Sequence, residues 1–193
     1  MSRTGEAGDE EEGTAGDDEE DTGGDERDTD VTDAAEAAFE ADLDEYPLFD
    51  FLGVEVESVE PGHVVLAVPF SENLINISGS DVHGGVTATV LDTASGMALR
   101  STFDDPGAVT LTTTDLNVRY VRPARDDLRV EAEVVRAGST MGVTEAEVTT
   151  VHGGEPSEAR RASSDEQGES EGGERKVVAT GGTTYRLFRG EDA

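Results

Sequence analysis

Apolar residues fall at helical spacing in two stretches of the chain and alternate with polar ones in the others. Asp33 precedes Ala34-Ala35-Glu36-Ala37-Ala38-Phe39, an apolar helical face with an acidic side chain placed to cap its first turn. Pro47 should bend or end that helix. Val54-Glu55-Val56-Glu57 and Val64-Val65-Leu66-Ala67-Val68 flank Glu60-Pro61-Gly62, which predicts a hairpin around a Pro-Gly turn. From Gly85 to about Ser101 the chain is apolar nearly all round, the mark of a buried rather than a surface helix. Strands are predicted over Val109–Tyr120, Leu128–Val135, Gly142–Val148 and Val177–Phe188, with Gly181-Gly182 marking a bulge in the last. One central helix, one preceding helix and five or six mostly antiparallel strands make an α+β fold, a sheet wrapped on a buried helix.

Two segments carry no such period. Residues 1–32 are dominated by Asp, Glu, Gly and Thr; they bury too little to offset their ordering entropy and are expected to be a disordered acidic tail. Residues 152–176 are rich in Gly, Ser and Glu and read as a disordered insertion in the hairpin before the last strand, where added loop length costs little. Arg160-Arg161-Ala162-Ser163 within it has the form of a basic-directed phosphorylation site, although an inert loop is the simpler reading. The folded unit is therefore one domain over residues 33–190.

Charge adds a setting. The net charge is −31, and Lys176 is the single lysine. The acidity is not confined to the tails, since residues 31–151 hold 22 acids against 6 arginines, a balance of −16. Such a composition fits a halophilic cytoplasm, where molar salt shortens the screening length to about 3 Å. It disfavours nucleic acid as a partner. The chain has no cysteine and three histidines, which leaves no disulfide, no thiolate chemistry and no His-rich metal site. No apolar run reaches the roughly 20 residues of a membrane-spanning helix, and the first residues lack a signal-peptide pattern. A soluble cytoplasmic protein without a membrane partner is expected.

The candidate chemistry lies in His83-Gly84-Gly85 and Asp92. A helix start offers free N–H groups and partial positive charge. A carboxylate two turns into an apolar helix is too deep to cap it, and its burial is costly unless the charge is used. Ion pairing with Arg100 or Arg119 is the structural alternative. Gly84 and Asp92 stand eight residues apart, about 12 Å along a helix axis. Both cannot reach one small carbonyl from a single chain. If they cooperate, they do so across a symmetric dimer with two shared sites.

Asn76, His83-Gly84-Gly85, Asp92, Asp115-Leu116-Asn117-Val118-Arg119-Tyr120 and Arg122-Pro123-Ala124 resemble the hotdog-fold acyl-CoA thioesterases, and among them the phenylacetate-pathway (PaaI-like) branch. The likeness covers residues 45–150 and 177–188. It implies a hotdog fold, an antiparallel sheet around the central helix, and dimers, often paired into homotetramers, with active sites at the dimer interface. It implies that Asp92 activates water or acts as nucleophile, that the Gly84 N–H of the partner chain holds the oxyanion, and that Asn76 orients the carbonyl. Thr113 would place water, with Thr110, Thr112 and Thr114 as neighbours of the same type. His83 and Gly85 would shape the substrate-binding turn, and Arg122 and Pro123 would lie where coenzyme A docks. No metal or other cofactor is implied, CoA being part of the substrate. The chain departs from the pattern by one extra residue between Asn76 and His83, which makes Asn73 a second candidate, and by Ala124-Arg125-Asp126-Asp127 where glycine is usual.

The function expected is hydrolysis of acyl-CoA to free acid and CoA. The alternative is a non-catalytic acyl-CoA-binding or regulatory module, which needs the pocket but not Asp92. A hotdog dehydratase ranks below both. Phe51, Leu52, Met97 and Met141 are the expected determinants of pocket depth.

Overall fold

The computed structural model describes residues 23–77, 79–151 and 175–189. Two helices lead in, α1 (Gly23–Glu45) and α2 (Pro47–Leu52), followed by the hairpin β1 (Glu55–Glu60) and β2 (His63–Val68). The central helix α3 (Gly84–Arg100) precedes β3 (Val109–Tyr120), β4 (Leu128–Ala137), β5 (Met141–Val151) and β6 (Arg175–Arg189). The six strands form one sheet in the order β1-β2-β4-β5-β6-β3, antiparallel at every pairing. This is the hotdog fold. No helix among the described residues is long and apolar enough to cross a membrane.

Alternation decides which face of the sheet meets α3. Leu128, Val130 and Ala132 of β4 and Ala146 and Val148 of β5 are buried, while Glu131, Glu133, Glu145 and Glu147 between them are exposed. Helix α3 lies on the inner face and buries Val90, Leu91, Ala94, Met97, Ala98 and Leu99, consistent with an all-round apolar helix. From α1, Ala35 and Phe39, one turn apart, are fully buried in the same core.

Three features differ from the sequence reading. Helix α1 begins at Gly23 and runs through Asp33, so Asp33 does not cap it. The stretch 23–33 contains no proline to stop a helix, and acidic residues suit a helix N-terminus. Residues 23–32, assigned to the tail, are thus helical, whereas the expectation of disorder for 1–22 lies outside the described residues. The 152–176 insertion falls outside them too, except that Arg175 and Lys176 already belong to β6. Finally, Gly181-Gly182 forms no bulge. Both residues pair in regular register with β3 and β5, and the irregularities sit instead between Thr113 and Asp115 on β3 and opposite Val148/Thr149 on β6.

Those glycines answer to crowding. A Cβ on Gly181 would stand 2.1 Å from the Asn117 carbonyl oxygen and 3.1 Å from Leu91 Cδ1. The first neighbour is backbone and cannot step aside without parting β3 from β6. Gly181→Ala is therefore expected to cost about 1–3 kcal/mol as an overpacked site, read as a lower midpoint in thermal unfolding at fixed salt. An unchanged midpoint would contradict the packing described.

Candidate active site

The start of α3 is organised by His83. Its backbone is extended, its side chain caps the helix, and Nδ1 accepts the Gly85 N–H at 2.9 Å. With Nδ1 accepting, the neutral ring carries its proton on Nε2. A Cβ on Gly85 would lie 2.9 Å from that Nδ1, so glycine at 85 is what lets the ring close on the turn. The Val86 and Thr87 N–H groups both go to the His83 carbonyl. Gly84 keeps its N–H without a hydrogen-bond partner among the described residues, while its carbonyl accepts the Tyr120 hydroxyl at 2.7 Å.

Gly84 opens into a pocket of about 380 Å³ whose lining includes Asn76, Asp81, Tyr120, Arg122 and Pro123. Four residues singled out from the sequence (Asn76, Gly84, Arg122 and Pro123) thus meet in one place. The segment between Asn76 and His83 is closed by the Ile75–Val82 bridge and by the Asn76 N–H to the Asp81 carbonyl at 2.9 Å. Asn73 does not join that pocket; it lies in a single 3-10 turn, and its N–H bonds to Ser71 Oγ at 3.3 Å. Arg122 is fixed by donation from Nη1 to the Val177 carbonyl at 2.8 Å.

Asp92 faces another pocket, of about 420 Å³, lined by Tyr46, Phe49, Met97, Arg100, Leu111 and Tyr185 among others. Its carboxylate has no cationic partner among the described residues. Arg100 pairs with Asp42 instead, and Arg119 lines a cleft on the outer face of the sheet with His63 and Glu131. The carboxylate is held by hydroxyls. Thr113 Oγ1 donates to Oδ1 at 3.1 Å and Oδ2 at 3.2 Å, and the Tyr185 phenol approaches Oδ1 at 2.8 Å and the Asp92 carbonyl at 2.6 Å. Burial, and then the Asp92 charge, push the Tyr185 phenol well above its ordinary pKa, so it remains a donor across the working pH range.

A bulge places these groups. Thr113 pairs with Tyr185 and Asp115 with Thr184, leaving Thr114 as the extra residue, its Oγ1 bonded to the Thr184 carbonyl at 3.0 Å. Residues 113 and 120 are seven apart and would face opposite sides of a regular strand. The bulge resets the parity, so Thr113 reaches Asp92 and Tyr120 reaches Gly84 on the same helix. It also selects Thr113 from its threonine neighbours.

Of the residues expected to set pocket depth, Met97 lines the Asp92 pocket. Leu52 is buried in the core, and Phe51 and Met141 are exposed at 60% and 48%. Tyr46 and Phe49, in edge-to-face contact with centroids 5.9 Å apart, stand where those side chains were expected. Tyr185 was not singled out from the sequence, because only the strand register reveals its place opposite Thr113. Among the described residues no group of three or more His, Asp or Glu side chains is arranged to hold a metal ion.

Comparison with known proteins places this geometry. A family model described as thioesterase superfamily matches residues 79–157. A Halobacterium salinarum protein named "Putative esterase" is 42% identical over 162 residues, covering 83% of this chain and 96% of its own. The chain belongs to the thioesterase superfamily. Human acyl-coenzyme A thioesterase 13 is 33% identical over 98 residues, 50% of this chain and 67% of that protein. Among solved structures, a thioesterase family protein from Silicibacter pomeroyi superposes with a TM-score of 0.65 at 24% identity, covering 81% of this chain and 99% of that one. The E. coli PaaI protein from the phenylacetic acid degradation operon does so with a TM-score of 0.63 at 18% identity, covering 83% and 97%. At those identities the superpositions establish the shared fold. The stretch matched by the thioesterase superfamily model contains His83, Gly84, Asp92, Thr113 and Arg122 but neither Asn76 nor Tyr185.

Proposed function

We propose that this member of the thioesterase superfamily hydrolyses acyl-CoA thioesters to the free acid and CoA. The observation that carries the reading is the Asp92 carboxylate, without a cationic partner among the described residues and held by two hydroxyl donors in a pocket whose lining includes Tyr46, Phe49, Leu111 and Met97. The acyl group lies between Tyr46, Phe49, Leu111 and Met97. Asp92 takes a proton from water as it attacks the thioester carbon, or attacks that carbon itself and yields an anhydride that water then cleaves. In either course the C–S bond breaks and the thiol leaves. Negative charge on the carbonyl oxygen is met by the free Gly84 N–H at a helix start, where donor and dipole act together.

Gly84 and Asp92 open into different pockets, which supports a site shared between two copies. Strand β3 is at the edge of the sheet and exposes Leu116, Tyr120 and the adjoining Val121, an edge suited to a second copy. In this reading the protein is a homodimer, paired further into a homotetramer, and Asn76, Arg122 and Pro123 of one protomer serve the substrate whose carbonyl faces Asp92 of the other. Assignment to the PaaI-like branch rests on the same residue pattern. The reaction draws on no cofactor.

The test is thiol release across short, long and aromatic acyl-CoAs in molar KCl, where self-repulsion of the acidic chain is screened. Release from at least one class is expected. Binding of a non-hydrolysable acyl-CoA without release from any would favour the binding-module alternative.

A further inference from the structure

Tyr185 lies outside the stretch that matches the thioesterase superfamily model, yet it makes the shortest side-chain contact to Asp92. It is 3% exposed, on the inner face of β6, directly across from Thr113. Its hydroxyl stands 2.8 Å from Asp92 Oδ1 and 2.6 Å from the carbonyl of the same residue. One phenol thus grips the side chain and the helix turn that bears it. Asp92 Oδ2, by contrast, is met among the described residues by Thr113 alone, at 3.2 Å, and is the oxygen left for water or thioester.

Two further hydroxyls are buried on the same two elements, α3 and β6. Ser95, one turn further along α3, and Thr183, two residues earlier on β6, are buried with hydroxyls that complete no hydrogen bond. The other ionisable groups lining the pocket are Asp42 from α1, Tyr46 between α1 and α2, and Arg100 from α3; β3 contributes Val109, Thr110 and Leu111, which do not titrate.

We propose that Tyr185 is a positioning residue for the reaction: it pins Oδ1 of Asp92 and so aims Oδ2 at the reacting carbon or water. The inference rests on Asp92 being the base or nucleophile. A side chain free to rotate about χ1 loses the alignment that makes an intramolecular attack fast, so the effect falls on kcat and not on substrate binding.

Two measurements test it. Tyr185→Phe keeps the ring and removes the grip; kcat is expected to fall about tenfold or more, the worth of a hydrogen bond to a charged group, with KM unchanged. Full kcat, or a loss confined to KM or to the thermal midpoint, would overturn the proposal. The second measurement retains the phenol and so does not depend on that variant folding. The chain has three tyrosines, and incorporation of fluorotyrosine supplies a fluorine NMR signal for each. Coupling is reciprocal: if Tyr185 holds the Asp92 carboxylate, Asp92→Asn must let the Tyr185 signal titrate at lower pH while Tyr120, bonded to Gly84, stays in place. An unmoved Tyr185 titration would overturn the proposal. Full turnover by Asp92→Asn would overturn the catalytic reading itself, and the positioning role with it, and is told apart by the fluorine signal shifting all the same.

Discussion

Asp92→Asn is expected to abolish thiol release while the fold survives. Asparagine has nearly the same shape, and its amide oxygen still accepts from Thr113 and Tyr185. No ion pair is broken, because Arg100 is engaged by Asp42, and no unpaired cation is left buried. What is lost is the capacity to take a proton or to attack carbon. Positioned proton transfer alone is worth about 10²–10⁴ in rate, and loss of a nucleophile costs at least as much. Thiol release and thermal unfolding, measured on one preparation in molar KCl, separate the two effects. A residual rate above a tenth of the parent with an unchanged melting point would remove Asp92 from the mechanism.

The second large effect is expected at Gly84, whose contribution is a backbone N–H and therefore escapes ordinary side-chain replacement. Gly84 is the first residue of α3. Proline is tolerated at that position because its missing N–H is an orphan in any case, and the extended His83 before it already has a backbone that proline accepts. Gly84→Pro thus deletes the proposed oxyanion donor and spares the helix. A lost donor of this kind costs about 10²–10³ in kcat. The Tyr120 ring would lie 3.3 Å from a Cβ at residue 84, so Gly84→Ala is the control for crowding and should keep most of the activity.

The same pair of variants tests the shared site. In a heterodimer of Asp92→Asn with Gly84→Pro, one site carries both lesions and the other carries neither. An equimolar mixture, dissociated and reassembled, should regain about a quarter of the parent activity on statistical pairing of a two-fold dimer. If Gly84 and Asp92 act within one chain, the mixture stays inactive.

Much of this was legible before any coordinates. The turn Pro61-Gly62, the apolar run of α3 and the alternation of β4 and β5 each obey a local rule, and each was found where expected. Asp92 stood out for a related reason: a carboxylate amid Val90, Leu91 and Ala94 violates the pattern around it. What stayed hidden depended on contacts between segments far apart in sequence. Gly181-Gly182 resembled a bulge because both crowding and bulges select glycine, and only the 2.1 Å approach to the Asn117 carbonyl tells them apart. Phe51 was expected as a pocket wall and Phe49 takes that place, because α2 is a short helix whose buried side is set by what it packs on.

By itself the sequence determined the element order, the buried helix, the oddity of Asp92 and the separation of Gly84 from Asp92, because these follow from periodicity and helical rise along one segment. Only the tertiary structure decided which hydroxyls hold Asp92. Thr113 reaches it through a one-residue bulge at Thr114, and Tyr185 arrives from a strand 93 residues further along the chain. A parity change and a cross-strand pairing are properties of two strands together, and neither strand carries them alone.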